Sequence, residues 1–375
     1  MIECLHIEKE ELTMINELLS KRNLPGLLTF ADGSAVQNAE DWQARRHEIK
    51  NLIQSEGYGF LPPPPKGMRI EELDTEDRFC AGKVTLTKVL LTAEMENGEY
   101  AFPVYCAVPN TGRAFPAFIH INFRDDVPDR YMPTEELCDN GFAVFSFCYK
   151  DAAPDDGDFS GGLAGLVLDG QKRAESDPGK IALWSWSAMR VMDYIQTLDA
   201  VDKKNIAVIG HSRLGKTALF TGALDERFAF TVSNNSGCGG AAITRDKQGE
   251  SITRICQNLW YWFCEKYKSY ADDAARLPFD QHFMLAAIAP RRVYVASAKE
   301  DIWADPVSEY LACAGASEAY EFLGEQGFVC PDRLPVAGES FHEGKIGYHM
   351  RAGTHYLGRE DWLKVMEYIK RHINK

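Results

Sequence analysis

Residues 205–220 read NIAVIGHSRLGKTALF: an apolar run, a glycine, a serine and then a stretch with helical spacing. A strand over residues 206–209 supplies a rigid base, Gly210 permits a tight turn, and Ser212 is lifted to its apex. The helix that begins near Leu214 aims its N-terminal N–H groups at whatever the serine attacks. The pattern is a nucleophile elbow with one departure: the second glycine of G-x-S-x-G falls at Gly215, and Leu214 stands in its place. Gly210 to Thr217 also fit G-x-x-x-x-G-K-[ST], the phosphate loop of nucleoside triphosphatases, in which Lys216 would neutralise phosphates and Thr217 hold magnesium. Such loops favour small residues, whereas His211, Arg213 and Leu214 are bulky. The next strand, near residues 228–235, ends in Ser and Asn, not in the aspartate that would complete a magnesium site. A P-loop NTPase is therefore the rival from another class, and the downstream residues must decide.

The chain of 375 residues is 45% hydrophobic, enough for one large α/β domain or two smaller ones. No stretch is long and apolar enough to span a membrane, and the opening MIECLHIEKEELTM lacks the basic and apolar regions of a secretory signal. Ten cysteines are scattered without paired spacing, mostly in apolar runs where a free thiol behaves as a small hydrophobe. Together these point to a reducing, cytoplasmic compartment, with room for one or two disulfides. A net charge of −14 argues against nucleic acid or an anionic membrane as partner. Arg213 with Lys216 supplies the local basic spot that an anionic ligand would need.

Residues 8–22 and 39–56 have helical spacing, carried by Leu12, Ile15, Leu18 and Leu19, then by Trp42, Ile49, Leu52 and Ile53. Gly57 is expected to end the second helix, and Pro62 to Pro65 to form a stiff strap. Two helices are too small a core to stand alone, so residues 1–60 read as a helical extension packed on a main domain over 61–375. Residues 83–109 alternate as two strands meeting at Asn97-Gly98, and 115–121 and 142–148 are wholly apolar runs, as in strands covered on both faces. The polar loop 151–170, with Asp155, Asp156 and Asp158, has a calcium-loop flavour but not the EF-hand spacing. From a buried helix at 181–198 onward, strands and helices alternate to the closing helix at 359–372. That pattern predicts a mostly parallel twisted sheet with helices on both faces, an α/β three-layer sandwich.

A serine that transfers acyl groups needs a base, a carboxylate to hold the base, and donors facing the oxyanion. In α/β-hydrolases these follow in the order Ser, acid, His, each on a loop after a strand. The strand at 293–297 is followed by Lys299, Glu300, Asp301, Ile302 and Trp303, and the strand at 346–350 by Arg351-Ala352-Gly353-Thr354-His355. His355 is the expected base, ahead of His342 and His349. Asp301 is the expected acid, with Glu300 and Asp305 as competitors better explained as surface and capping charges. His211 is expected to be structural, bonded beneath the elbow.

GHSRLGKTAL, SNNSGCGGAA at 233–242, DQHFMLAAIAPRRVYVASAKEDIWADP at 280–306 and GYHMRAGTH at 347–355 together resemble the glucuronoyl esterases, carbohydrate esterase family 15, in their bacterial branch. The resemblance covers roughly residues 50–370. It implies an α/β-hydrolase without metal or cofactor, with Ser212 as nucleophile, His355 as base and Arg213 contributing to the oxyanion site. It implies Lys216 and Trp303 as binders of a uronic-acid ring, and a sugar-binding Gln and Glu within QNLWYWFCE, where Gln257 and Glu265 are the residues of the right type. Many members take the acid from a Glu in E-S-G-x-G-G, but here that position is Asn235, so Asp301 must supply it. The implied substrate is a small-molecule or oligosaccharide ester of glucuronic acid or its 4-O-methyl form. An acetyl-xylan-type or other carbohydrate esterase on the same triad is the nearest rival.

Overall fold

The computed structural model describes residues 15–373. Among these, ten strands form one sheet: β1 (Gly67–Arg78), β2 (Val84–Met95), β3 (Gly98–Pro109), β4 (Phe115–Asn122), β5 (Ala143–Cys148), β6 (Val201–His211), β7 (Phe230–Asn234), β8 (Arg292–Ala298), β9 (Ser340–Phe341) and β10 (Ile346–Arg351). Their spatial order is β1-β2-β3-β5-β4-β6-β7-β8-β10-β9. The run from β5 through β4, β6, β7 and β8 to β10 is parallel. The β1–β2–β3 meander joins β5 antiparallel at one side, and β9 pairs antiparallel with β10 at the other.

Successive residues of the central strands enter opposite cores, as a period of two requires. Ile119, Phe145, Val208 and Val295 face the larger core with the helices Lys180–Ile195, Arg213–Leu224, Gln281–Ala286 and Pro306–Phe322. Phe118, Val144, Ala207 and Tyr294 face the smaller one, closed by Trp362, Val365 and Ile369 of the helix Arg359–Ile373. Both faces of the sheet are thus covered, and its parallel strands leave the loops after β6, β7, β8 and β10 side by side.

The expected helix at 8–22 is seen as Ile15–Lys21, and its earlier part lies outside the described residues. The second helix runs Ala39–Ile53, with Asn38 capping it by accepting from the N–H groups of Glu40 and Asp41. It does not end at Gly57. A wider π-type turn, Gln54–Tyr58, carries the chain on to Gly59, whose φ of 87° stops it. Trp42, Ile49 and Ile53 are fully buried in the larger core, so this extension contributes to the main core. The hairpin at Asn97-Gly98 forms as expected. Strand β1 was not legible: GMRIEELDTEDR is an edge strand exposed along nearly its whole length, so no apolar alternation marks it. The nine described cysteines are all free thiols.

Candidate active site

Ser212 sits between β6 and the helix Arg213–Leu224 with φ 58° and ψ −125°. Such a conformation costs a non-glycine residue about 1–3 kcal/mol and is kept where the surroundings impose it. Here they do, through short contacts on both sides. A Cβ at Gly210 would collide with the Leu214 carbonyl, and one at Gly215 would lie 3.0 Å from Ser236 Cβ and 3.1 Å from Asn234 O. The displaced second glycine therefore has a function: it lets the helix lie against the end of β7. Leu214 is fully buried. The Ser212 N–H donates to Asn234 O at 2.9 Å, and its carbonyl accepts from Gly215 and Lys216. The side chain is held at the apex, half-buried.

The loops after β8 and β10 are stitched together by Lys299 N–H to Arg351 O at 2.9 Å and Glu300 N–H to Gly353 O at 3.0 Å. Arg351 braces the second loop, donating to the Ala352 and Thr354 carbonyls and pairing with the buried Asp361. The result brings His355 Nδ1 to 2.6 Å from Asp301 Oδ2. Asp301 is buried, whereas the imidazole is 39% exposed. Burial alone would raise the Asp301 carboxyl, but the bond and charge of His355 and the Asn235 amide outweigh it and hold it below the usual carboxylate range. Glu300 instead accepts from Gly353 N–H at the surface. Asp305 caps the helix Pro306–Phe322, accepting from Ser308 N–H. The His355 ring lies 4.5 Å from that of His211, the neighbour of Ser212. His211 is buried and bonded to Asn234 Oδ1 at 2.6 Å; burial, then the nearby His355, push it down to about 3, so it stays neutral. His349 is bound to Asp361 and Tyr294, and His342 to Tyr294, deep in the smaller core.

Arg213 is ion-paired with Asp155, and its guanidinium lies 4.6 Å from the Trp262 ring. Asp155 also accepts from Tyr149 OH and Trp262 Nε1, both at 2.8 Å. The Arg213 Nε–H is buried and has no partner within the protein. The carboxylate of the expected polar loop thus serves an arginine, and no cluster of three metal-ligating side chains occurs among the described residues. Lys216 is buried, with Nζ 2.8 Å from both Ser236 O and Glu250 Oε2. It is neither a solvated helix charge nor open to a phosphate, and Thr217 Oγ1 donates back to Arg213 O. The phosphate-loop reading falls on these contacts.

A cavity of about 430 Å³ is lined by Glu250, Arg254, Gln257, Asn258 and the half-exposed Trp303. Gln257 and Trp303 come together there. Glu265 does not line it: this residue opens a 3₁₀ turn, and its carboxylate is spent on Arg173 and Lys268. Glu250 is the acidic wall instead. Sequence reasoning passed over Asp155, Glu250 and Trp262 because their partners lie far along the chain, and only Asp155 carried a signal, its place in the acidic loop after β5.

A family description of glucuronyl esterases of fungi matches residues 91–324. Carbohydrate esterase MZ0003, from an unknown prokaryotic organism, is 31% identical over 94% of this chain and 90% of its own length. The 4-O-methyl-glucuronoyl methylesterase of Schizophyllum commune is 29% identical over 81% of this chain and 75% of its own. Among solved structures, a promiscuous family 15 esterase from a marine bacterial metagenome superposes with a TM-score of 0.85 at 31% identity, covering 94% of this chain and 97% of that one. The glucuronoyl esterase of Solibacter usitatus gives 0.85 at 31% identity over 93% and 97%. On the elbow, the order of the site residues and these likenesses, the chain belongs to carbohydrate esterase family 15, the glucuronoyl esterases.

Proposed function

We propose that the protein hydrolyses esters of glucuronic or 4-O-methyl-glucuronic acid through a Ser212–His355–Asp301 triad and an acyl-enzyme. The observation that carries the triad is the Asp301–His355 pair at 2.6 Å, with the imidazole beside the neighbour of a strained, apex-held serine. Asp301 can only accept when ionised, so the proton of the neutral imidazole sits on Nδ1 and Nε2 is left as the base. Ser212 Oγ attacks the ester carbonyl as Nε2 takes its proton. The tetrahedral oxyanion faces the unpartnered Arg213 Nε–H and the first turn of the helix Arg213–Leu224. Collapse breaks the acyl–oxygen bond, and His355 returns the proton to the departing alcohol. Water, deprotonated by His355, then attacks the acyl-serine and releases the uronic acid and free Ser212. Trp303, Gln257 and Glu250 are suited to the sugar, offering an aromatic face, an amide and a carboxylate acceptor to ring hydroxyls, whereas Lys216, expected to bind the ring itself, is buried behind them and holds Glu250 in place.

Acetylated sugars are the second substrate class to compare, because a family 15 relative of the same fold, from a marine bacterial metagenome, is a promiscuous esterase. The test compares kcat/KM for the benzyl ester of glucuronic acid, an acetylated xylose and 4-nitrophenyl acetate. Preference for the glucuronate ester is expected. Equal or better turnover of the acetyl esters would retain the serine chemistry and discard the uronate pocket.

A further inference from the structure

Asn235, the residue after β7, stands where the resemblance places the catalytic acid in many relatives. It is buried, its φ is 45°, and its N–H donates to Ala296 O at 2.8 Å. Its Nδ2 donates to Asp301 Oδ2 at 2.8 Å, and this is the same oxygen that faces His355 Nδ1. The other end of the amide, Oδ1, is buried without a partner. Leaving a buried acceptor unmade is costly, so the amide orientation is set by what its nitrogen does. The turn behind it is anchored by Glu309, which accepts from Gly237 N–H at 2.9 Å and from Ser297 Oγ at 2.6 Å.

We propose that Asn235 is a positioning residue of the hydrolytic site: its amide N–H fixes the plane and the ionised state of the Asp301 carboxylate that orients His355. The proposal rests on the triad described above. The physical ground is the difference between an amide and an acid. A carboxyl at this position could donate or accept according to pH, whereas an amide N–H is a donor at every working pH. One oxygen receiving two donors must be an acceptor toward both, which Asp301 Oδ2 can be only when it is unprotonated. Ala304 N–H adds a weaker donor to Asp301 Oδ1 at 3.3 Å. The titratable groups that face this carboxylate are His355 and the buried Glu309, with His211 behind the imidazole.

The test measures kcat and KM separately across pH for wild type, Asp301→Asn, Asn235→Leu and Asn235→Asp on a glucuronate ester. Asp301→Asn is expected to lose about 10³- to 10⁴-fold in kcat, which tests the triad alone. Asn235→Leu removes one charge-assisted bond and is expected to lower kcat about 10- to 100-fold with little change in KM. Asn235→Asp, nearly isosteric, places two carboxyls within bonding distance that must share a proton. It is expected to outperform Asn235→Leu at low pH and to move the acid limb of kcat/KM upward by about half a unit or more, because a second ionisation favours the imidazolium. Wild-type kcat and pH profile in both Asn235 variants, beside an inactive Asp301→Asn, would overturn the proposal and leave the triad standing. A fully active Asp301→Asn would overturn the triad and the proposal with it. Should Asn235→Leu fail to fold, the pH profile of Asn235→Asp decides.

Discussion

Arg213 is the residue whose surroundings are most specifically arranged. Asp155 pairs with its guanidinium, Trp262 lies under it at 4.6 Å, and its Nε–H, on the residue that follows Ser212, is buried with no partner. A donor kept desolvated and unspent next to a reacting carbonyl gains most when negative charge appears there. Arg213→Ala is expected to lower kcat about 100- to 1000-fold on a glucuronate ester while leaving the circular dichroism unchanged. Asp155→Asn, which keeps an acceptor but loses the charge, is expected to lose less; steady-state kinetics on the two variants checks the order. The places of Ser212 and His355 in the fold, after β6 and β10, were legible because each follows a strand recognisable in the sequence. Asp155 and Glu250 were not. Their partners are 58 and 34 residues away, and nothing local selects one acidic residue of a polar loop over its neighbours.

At the scale of the element, β6, its turn and the helix that follows depend on closeness of backbone rather than on side-chain bonding. Gly210→Ala is expected to abolish folding or cost more than about 3 kcal/mol, because the new methyl meets the Leu214 carbonyl with no flexible neighbour to yield; chemical denaturation measures it. The helix Pro306–Phe322 carries the buried Glu309, which burial pushes up from an ordinary 4.5 to about 7. The folded chain thus holds that proton more tightly than the unfolded chain does. This contribution to stability is complete below about pH 4.5 and is lost as pH rises through about 7. Glu309→Gln, which can keep both hydrogen bonds, is expected to flatten the fall in Tm across that window relative to wild type, as followed by thermal melts at several pH values. The parallel strands were readable as elements because burial on both faces makes them uniformly apolar. Strand β1 was hidden for the opposite reason, and the π-type turn at Gln54–Tyr58 because it continues helical spacing past the glycine expected to stop it.

Across the whole molecule, the helical extension and the sheet share one core. Trp42 is fully buried within the larger cluster, and Arg46 Nε donates to Ala287 O at 2.7 Å. Trp42→Ala is expected to cost about 3–5 kcal/mol and to leave a single unfolding transition rather than split one in two, as read by fluorescence and circular dichroism together. The global order was legible from alternation, since a chain that switches between apolar runs and helical spacing has few ways to bury both faces of its sheet. Which loop carboxylate meets His355 was not legible from alternation, because that depends on how the ends of β7, β8 and β10 align in space. The central claim is that Ser212 is the nucleophile for a uronic-acid ester, and kcat/KM on the benzyl ester of glucuronic acid for wild type and Ser212→Ala tests it most directly. A loss of about 10⁴-fold or more in a folded Ser212→Ala protein is the expected result. Activity retained within about tenfold would contradict it, because removing the nucleophile of an acyl-transfer triad leaves no comparable route.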